Sequence, residues 1–166
     1  MRGYKTKILT PAEMIRERAR LKASGKTVVF TNGCFDILHC GHVSYLNFAR
    51  GQGDVLILGM NSDASVKRNK GDDRPINCEQ DRAEVLAALE CIDYVVLFNE
   101  DEPAALIETL LPDVLVKGED WAHYVSGREA VEAAGGKVVL AKMVAGRSTT
   151  GTIEKVLKVY GEKNEH

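Results

Sequence analysis

Five short apolar runs, none of which alternates with polar residues, constrain the fold of this chain most strongly. Runs of this length, rich in valine and leucine, are typical of strands that are buried on both faces of a parallel sheet. The runs are Thr27–Thr31, Asp54–Met60, Tyr94–Phe98, Asp113–Lys117 and Lys137–Ala141. Segments with helical signals separate them, so the sequence predicts an α/β fold with a single, doubly wound, five-stranded parallel sheet.

The helices are indicated by the residues at which they begin. A Ser, Thr or Asn followed three positions later by Glu or Gln forms a capping box, which satisfies free amides of the first helical turn. The pairs that fit are Thr10 with Glu13, Asn77 with Gln80, and Ser126 with Glu129. We therefore expect a helix to begin at each of these three points.

Length and composition limit the class of protein. A chain of 166 residues suits one domain over residues 1–166, with a helical extension over 1–25 and a frayed tail over 161–166. The net charge of −2 argues against a nucleic-acid partner. No stretch approaches the ~18 apolar residues of a membrane span, and no secretory signal is visible. We expect a cytoplasmic protein with reduced cysteines, at Cys34, Cys40, Cys78 and Cys91.

Two common phosphate-binding motifs are incomplete. The sequence SGKT at 24–27 is similar to the end of a P-loop, but Arg20 stands where the first glycine of that motif is required. The segment also precedes a predicted strand, whereas a P-loop follows one. No G-x-G-x-x-G pattern follows Thr31. Both an NAD enzyme and a P-loop NTPase are therefore disfavoured.

The segment after the first predicted strand carries a pair of histidines. His39 and His42 are three positions apart, so both can lie on one face at the beginning of a helix. A helix N-terminus offers unpaired amides and the positive end of the helix dipole, and Gly41 leaves room for an anion to approach. Ligands of such sheets bind outside the carboxyl ends of the strands. The sequence predicts a phosphate site here.

Two other interpretations of the histidine pair stay open. In the first, one ring packs in the core and the other is solvated. In the second, Cys34 and Cys40 join the two histidines as zinc ligands, although the second spaced pair that is typical of structural zinc sites is missing.

Residues 33–42, GCFDILHCGH, resemble the G-x-F-D-x-x-H-x-G-H signature of the nucleotidylyltransferase superfamily. This superfamily includes cytidylyltransferases and pantetheine-phosphate adenylyltransferase. Further segments resemble the adenylyltransferase domain that acts on D-glycero-β-D-manno-heptose 1-phosphate; they are Asn61–Arg68, Lys70–Asn77, Lys117–Asp120 and Arg147–Thr150. The resemblance extends from about residue 12 to residue 160 and implies a Rossmann-like nucleotidylyltransferase fold.

The resemblance implies an activity. AMP would be transferred from ATP to a sugar 1-phosphate, most specifically the heptose 1-phosphate, with Mg²⁺ accompanying ATP and a homodimer as the assembly. Many members of the family carry an N-terminal sugar kinase domain, and we expect this chain to be a stand-alone or excised transferase. A cytidylyltransferase or another polyol- or sugar-phosphate nucleotidyltransferase is one alternative, because the histidines act on phosphate whatever the base. A non-catalytic nucleotide-binding module is another.

The resemblance also implies residue roles. His39 and His42 would be catalytic, and no protein metal ligand is expected. The nucleotide-binding residues would be Thr31, Asn32, Gly33, Cys34, Phe35, Gly41, Lys117, Gly118, Arg147, Ser148, Thr149 and Thr150. The substrate-binding residues would be Asp36, Asn61, Asp63, Lys70, Arg74 and Arg82.

Several of these residues also have simpler explanations. One hydroxyl of Ser148–Thr150 is enough to cap a helix, but three hydroxyls beside Arg147 suit the β- and γ-phosphates of a nucleotide. Lys70 and Arg74 belong to a basic segment that could be a solvated loop or a lid over a sugar phosphate. Asn61 and Asp63 could bind sugar hydroxyls or cap a helix.

The Lys117–Asp120 segment departs from the family pattern. Glu119 and Trp121 stand where the family more often has Gly and Tyr. If that glycine has a positive φ, Glu119 is expected to strain or shift the turn. Trp121 could stack against a base or cover the edge of the core.

Overall fold

The computed structural model describes residues 3–161. Its six strands are β1 (Ile8–Leu9), β2 (Val28–Gly33), β3 (Val55–Asn61), β4 (Tyr94–Phe98), β5 (Val114–Gly118) and β6 (Lys137–Ala141). They form one sheet in the order β1-β4-β3-β2-β5-β6, in which every pair is parallel. The predicted α/β class is confirmed.

The prediction of five strands is wrong by one. The additional strand β1 extends the sheet beyond β4, where Ile8 pairs with Val95 and Leu9 with Val96. Two residues are too few to produce an apolar run, and β1 is defined only by its pairing with β4. The five predicted runs correspond to β2–β6.

Helices cover both faces of the sheet. They are α1 (Pro11–Ala23), α2 (Cys40–Arg50), α3 (Asp63–Lys70), α4 (Glu79–Ala87), α5 (Ala104–Leu110), α6 (Arg128–Ala133) and α7 (Thr149–Tyr160). Residues of α2 and α4 belong to the core on one face, and residues of α1, α5 and α6 belong to the core on the other. The chain therefore changes faces between β2 and β5, and a crevice is expected above their carboxyl ends.

The first predicted capping box is confirmed. The Thr10 hydroxyl accepts from the Glu13 amide at 3.3 Å, and the Thr10 amide donates to the Glu13 carboxylate at 2.8 Å. The predictions of capping boxes at Asn77 with Gln80 and at Ser126 with Glu129 are wrong. Cys78 precedes α4 and Gly127 precedes α6, and neither helix has a side-chain cap.

The C-terminal helix α7 has no buried residue, and Val156, Leu157 and Tyr160 are each more than half exposed. The predicted frayed tail at 161–166 lies outside the described residues, except for Gly161, which ends α7. Within residues 3–161, no helix has both the length and the apolar character that a membrane crossing requires.

Candidate active site

The two histidines meet at the beginning of α2. His39 is the N-cap residue of this helix, and His42 lies in its first turn. Their rings are stacked, with centroids 3.8 Å apart and planes inclined by 20°. A Cβ atom at Gly41 would lie 2.9 Å from Nδ1 of His39, closer than such atoms pack. Gly41 therefore permits the position of the His39 ring.

The surroundings lower the pKa of both rings. Burial lowers the pKa of His42 to about 4, and the charge of His39 adds to this effect. Burial also lowers the pKa of His39, with a further contribution from the positive charge of Arg147. The Nδ1 atoms of both rings are buried with no hydrogen-bond partner among the described residues. Nε2 is therefore the atom of each ring that is open to a ligand.

A second helix N-terminus lies against the histidines. Ser148 caps α7 by accepting from the Gly151 amide at 3.0 Å. The Thr149 hydroxyl donates to the carbonyl of Ile37 at 3.3 Å, which joins the start of α7 to the histidine segment. The Cβ of Arg147 is 3.2 Å from the Cβ position at Gly41. The positive ends of two helix dipoles thus converge with an arginine, as an anion site requires.

The turn between β2 and α2 supports the His42 ring. Phe35 adopts a left-handed backbone conformation with φ 47°, and its ring meets that of His42 edge-on at 5.1 Å. A Cβ at Gly33 would lie 2.8 Å from the Phe35 ring. Glycine is therefore needed at this position for the aromatic ring to pack there.

The structure places the Thr31 side chain in the core. Its hydroxyl is 2.6 Å from that of Tyr45 and donates to the carbonyl of Val116 at 3.0 Å. Burial raises the pKa of Tyr45 to about 12. Thr31 thus connects β2 to β5 and α2 below the site. Through its hydroxyl, Tyr45 holds Thr31 and the Val116 carbonyl in place beneath the site. The sequence did not reveal this role, because a tyrosine in an amphipathic helix is usually only part of the core.

The Asp36 carboxylate is fully buried and is engaged by the protein itself. It accepts from Nε of Arg74 at 2.7 Å, from the Ile76 amide at 2.8 Å and from the Asn77 amide at 2.9 Å. Burial would raise the pKa of Asp36, but the hydrogen bonds from Asn77, Ile76 and Arg74 together hold it below its usual value. Asp36 therefore anchors the loop 74–77 rather than presenting a free carboxylate to a substrate.

Arg82 lies beneath the site and is 2% exposed. Its guanidinium donates to the carbonyls of Asn77 at 3.1 Å, Cys34 at 2.7 Å and Asn61 at 3.0 Å. It also pairs with the Asp63 carboxylate at 2.7 Å. The residue predicted to bind substrate instead ties four segments of the chain together. The partner Asn77 was missed as a site residue, because its sequence context indicated a helix cap.

Asn61 and Asp63 do not cap α3. Ser62 caps this helix by accepting from the Ser65 amide at 3.2 Å. The Asn61 side chain donates to the Ser65 hydroxyl at 3.0 Å. Both predicted residues are therefore held by protein contacts at the end of β3.

The basic residues of α3 and of the loop that follows it lie in two directions: Arg68 lies away from the histidine motif, whereas the charges of Lys70 and Arg74 act near it. Arg68 turns away from the motif and pairs with Asp101 at 2.6 Å. Lys70 is exposed at the end of α3. Burial raises the pKa of the Cys34 thiol, while the charges of Lys70 and Arg74 act in the opposite direction. The charges of Lys70 and Arg74 thus act on Cys34, which lies in the histidine segment.

Lys117 is the penultimate residue of β5, at the edge of the crevice. Its Nζ donates to the Asn32 side chain at 2.7 Å and lies 5.6 Å from the centre of the Trp121 ring. Burial lowers the pKa of Lys117 to about 8. A Cβ at Gly118 would lie 2.9 Å from Sδ of Met143, so a glycine is needed where the 142–148 loop passes.

Glu119 begins a short 3-10 helix, Glu119–Trp121, and is not among the described residues with positive φ. The expected strain is therefore absent. The Glu119 carboxylate accepts from the Met143 amide at 3.3 Å.

The sequence matches the family described as cytidylyltransferase-like over residues 30–156. The chain belongs to this family, and the predicted class of enzyme, a nucleotidyltransferase, is confirmed. The match contains the stacked histidines and both helix N-termini that converge on them.

The chain is also similar to two curated relatives, each called bifunctional protein HldE. It is 62% identical over 143 residues to the protein from Geobacter sulfurreducens, covering 86% of this chain and 29% of the relative. It is 58% identical over 155 residues to the protein from Mesorhizobium japonicum, covering 93% of this chain and 31% of the relative. The chain thus spans under a third of the length of these relatives.

Two solved structures share the fold. A lipopolysaccharide core biosynthesis protein from Thermoplasma volcanium is 28% identical, with a TM-score of 0.59 over 72% of this chain and 98% of that chain. A pantoate-beta-alanine ligase from Francisella tularensis is 17% identical, with a TM-score of 0.59 over 93% of this chain and 77% of that chain. The second likeness shows the fold alone.

Proposed function

We propose that this chain transfers AMP from ATP to a sugar 1-phosphate, with D-glycero-β-D-manno-heptose 1-phosphate as the acceptor. The observation that carries the proposal is the stacked histidine pair between the N-termini of α2 and α7. The segments that resemble the heptose 1-phosphate adenylyltransferase domain, and the name of the lipopolysaccharide core biosynthesis protein, support this class of acceptor.

The reaction is a displacement at the α-phosphate of ATP. An oxygen of the acceptor phosphate attacks this phosphorus, the bond to the bridging oxygen breaks, and pyrophosphate leaves. The acceptor phosphate is already ionised near neutral pH, so no general base is required. Catalysis consists of positioning and charge stabilisation.

The histidines serve as neutral donors. His39 and His42 each present Nε2, and an N–H there donates to the α-phosphate oxygens as negative charge develops. The lowered pKa of both rings favours this neutral form, in which Nε2 can carry the donated proton. Arg147 and the turn over 148–150 hold the departing pyrophosphate.

The acceptor phosphate lies on the other side of the histidines. The charges of Lys70 and Arg74 act on Cys34 there, and Asp36 fixes Arg74 through a single guanidinium nitrogen, Nε. The terminal nitrogens of Arg74 remain for the acceptor. Asp36 and Arg82 are positioning residues in this scheme, since their polar atoms are engaged by the protein.

Mg²⁺ would accompany ATP and be held mainly by its phosphate oxygens. Across residues 3–161, no three His, Cys, Asp or Glu side chains are grouped to hold a metal. This arrangement fits a metal carried by the nucleotide. The metal would neutralise phosphate charge. The homodimer and the cytoplasmic location stay predictions.

The test is pyrophosphate release by the purified protein with ATP or CTP and a panel of sugar 1-phosphates. We expect release with ATP and the heptose 1-phosphate. Release with CTP alone would favour a cytidylyltransferase, which the family description makes the main alternative. No release with any pair would leave a nucleotide-binding module.

His42→Ala gives a second test. Turnover is expected to fall about 1000-fold, because a donor to the developing charge is lost. The melting temperature should hardly change. Ser44→Ala, an exposed position of the same helix, is the matched control. A large loss of stability with normal turnover per folded molecule would mean that His42 is only a packing residue.

A further inference from the structure

Two exposed apolar side chains lie over the end of β5, and the scheme above uses neither of them. Trp121 is 49% exposed and Met143 is 47% exposed. The centre of the Trp121 ring lies 5.6 Å from Nζ of Lys117, and Sδ of Met143 lies 2.9 Å from the Cβ position at Gly118. Both side chains therefore border the last two residues of β5, at the edge of the crevice.

Each of the two side chains has neighbours that leave about half of it uncovered. The Met143 amide donates to the Glu119 carboxylate at 3.3 Å, which fixes the backbone of the loop but not the thioether. The ring of His123 is nearly parallel to that of Trp121, with centroids 6.3 Å apart. An aromatic ring and a polarisable sulfur thus meet at one strand end, a combination that suits a flat aromatic ligand.

The order of the strands separates this pair from the region proposed for the acceptor. In the sheet, β3 and β5 lie on opposite sides of β2, and β6 lies beyond β5. Residues 62–82 follow β3, whereas Trp121 follows β5 and Met143 follows β6. Lys117 donates to the Asn32 side chain at 2.7 Å, which joins β5 to β2 at the crevice. The pair therefore lies on the β5 side of the crevice, away from the acceptor.

The loop over 142–148 connects the pair to the phosphate end of the proposed nucleotide site. Met143 lies near its beginning and Arg147 near its end. Arg147 reaches the histidine helix, because its Cβ is 3.2 Å from the Cβ position at Gly41. With pyrophosphate held at Arg147 and the acceptor on the β3 side, the end of β5 is the direction left for the nucleoside that the α-phosphate carries.

We propose that Trp121 and Met143 form the binding slot for the adenine ring of ATP, with the base stacked on the indole. This inference rests on the proposed function, from which it takes the positions of the phosphates. The indole covers one face of the base, and the thioether of Met143 packs against the base beside Gly118. Stacking acts on the base and not on the phosphates, so the slot sets the affinity for the nucleotide.

The test separates the base from the phosphates by comparing ATP with inorganic tripolyphosphate, which has no base. Trp121→Ala should raise the KM for ATP about tenfold, because base–aromatic stacking is lost. Trp121→Phe should restore most of the affinity, and Met143→Ala should raise this KM less, about threefold. The inhibition constant of tripolyphosphate and the KM for the sugar phosphate should stay within about twofold of wild type. Tyr160→Ala, 62% exposed at the far end of α7, is the matched control.

Fluorescence gives a second readout that does not depend on turnover, because Trp121 is the only tryptophan of the chain. A base stacked on the indole should quench its emission. Addition of ATP with Mg²⁺ to the wild-type protein should therefore lower the emission, whereas tripolyphosphate with Mg²⁺ should not. If the wild-type protein released no pyrophosphate with any substrate pair, the proposed function would fail, and this titration would still decide the inference.

Three results would overturn the inference. The first is that the wild-type protein does not bind ATP in calorimetry, or binds it with no change in Trp121 emission. The second is an unchanged KM for ATP in Trp121→Ala, which would leave the indole as a cover for the edge of the core. The third is a raised KM for the sugar phosphate alone, which would place Trp121 on the acceptor side.

Discussion

The two sides of the site are built in opposite ways. The side that we propose for the acceptor comprises residues 34–37, residues 74–77 and Arg82, and it is fixed by buried charged groups with several hydrogen bonds each. The side that we propose for the nucleotide comprises residues 142–150 and is exposed except for Thr149. Its connections to the rest of the site include the Met143 amide to Glu119 and the Thr149 hydroxyl to Ile37.

The difference indicates that the two sides of the site have different roles. Buried ion pairs fix one geometry, because any displacement leaves a charge without a partner. The acceptor side is therefore in place before substrate arrives. The nucleotide side presents helix amides and Arg147 to a phosphate chain, which supplies much of its own charge and metal. We expect substitutions on the first side to change stability and those on the second to change nucleotide affinity.

The largest effect is expected from Arg82→Leu. Removal of the guanidinium leaves the Asp63 carboxylate and three carbonyl groups without their partner. The free energy of unfolding should fall by about 3–5 kcal/mol, measured by urea denaturation. Arg68→Leu is the matched control, because its exposed ion pair is worth at most about 1 kcal/mol. If both substitutions lowered the free energy of unfolding equally, buried ion pairs would not be what fixes the acceptor side.

A smaller loss is expected from Asp36→Asn. The amide side chain loses the charge that holds Arg74 and the two loop amides, and stability should fall by about 2 kcal/mol. The KM for the sugar phosphate should rise while the KM for ATP does not. Asp73→Asn, exposed in the same loop, serves as the control. A change confined to the KM for ATP would contradict the assignment of Asp36 to the acceptor side.

Arg147→Ala tests the nucleotide side. Arg147 is exposed, so the melting temperature should not change. Loss of its contact with the leaving phosphates should raise the KM for ATP about tenfold, equivalent to about 1.4 kcal/mol. Lys155→Ala, exposed on α7, the helix that follows Arg147, controls for the loss of one positive charge. A drop in melting temperature with no change in KM would make Arg147 a structural residue.

The smallest effect is the pH dependence that His42 contributes to stability. Its pKa is about 4 in the folded chain and 6.5 in the unfolded chain. The unfolded state therefore binds more protons between these values, and stability falls as pH falls from 6.5 to 4. Solvent around the half-buried ring limits the size of the effect. Denaturation of wild-type protein and His42→Ala across this range should show a weaker dependence in the variant, and equal slopes would contradict the assignment.

The sequence predicted the sheet and the histidine motif for local reasons. The strands β2–β6 are continuous apolar runs, and a run of this kind is readable without knowledge of its neighbours. His39 and His42 are three residues apart, so a single helical turn is enough to bring them together. The Thr10 capping box is equally local and was predicted correctly.

The errors involve contacts between distant residues. Asn77 was expected to cap a helix, but its side chain donates to the carbonyl of Asp36, 41 positions earlier in the chain. The strand β1 is recognisable only beside β4. Neither partner could be identified from the residues that adjoin it in sequence.

What the sequence determined by itself was therefore the class of fold and the placing of the two histidines at one helix N-terminus, because short-range periodicity and spacing dictate both. What only the tertiary structure decided was how the charged residues are used. Arg82 and Asp36 have the residue types of ligand-binding groups, yet both are buried among protein partners that chain folding brings to them. A buried charge must find its partners within the protein. Arg147 stays at the surface, where its charge remains available to a nucleotide.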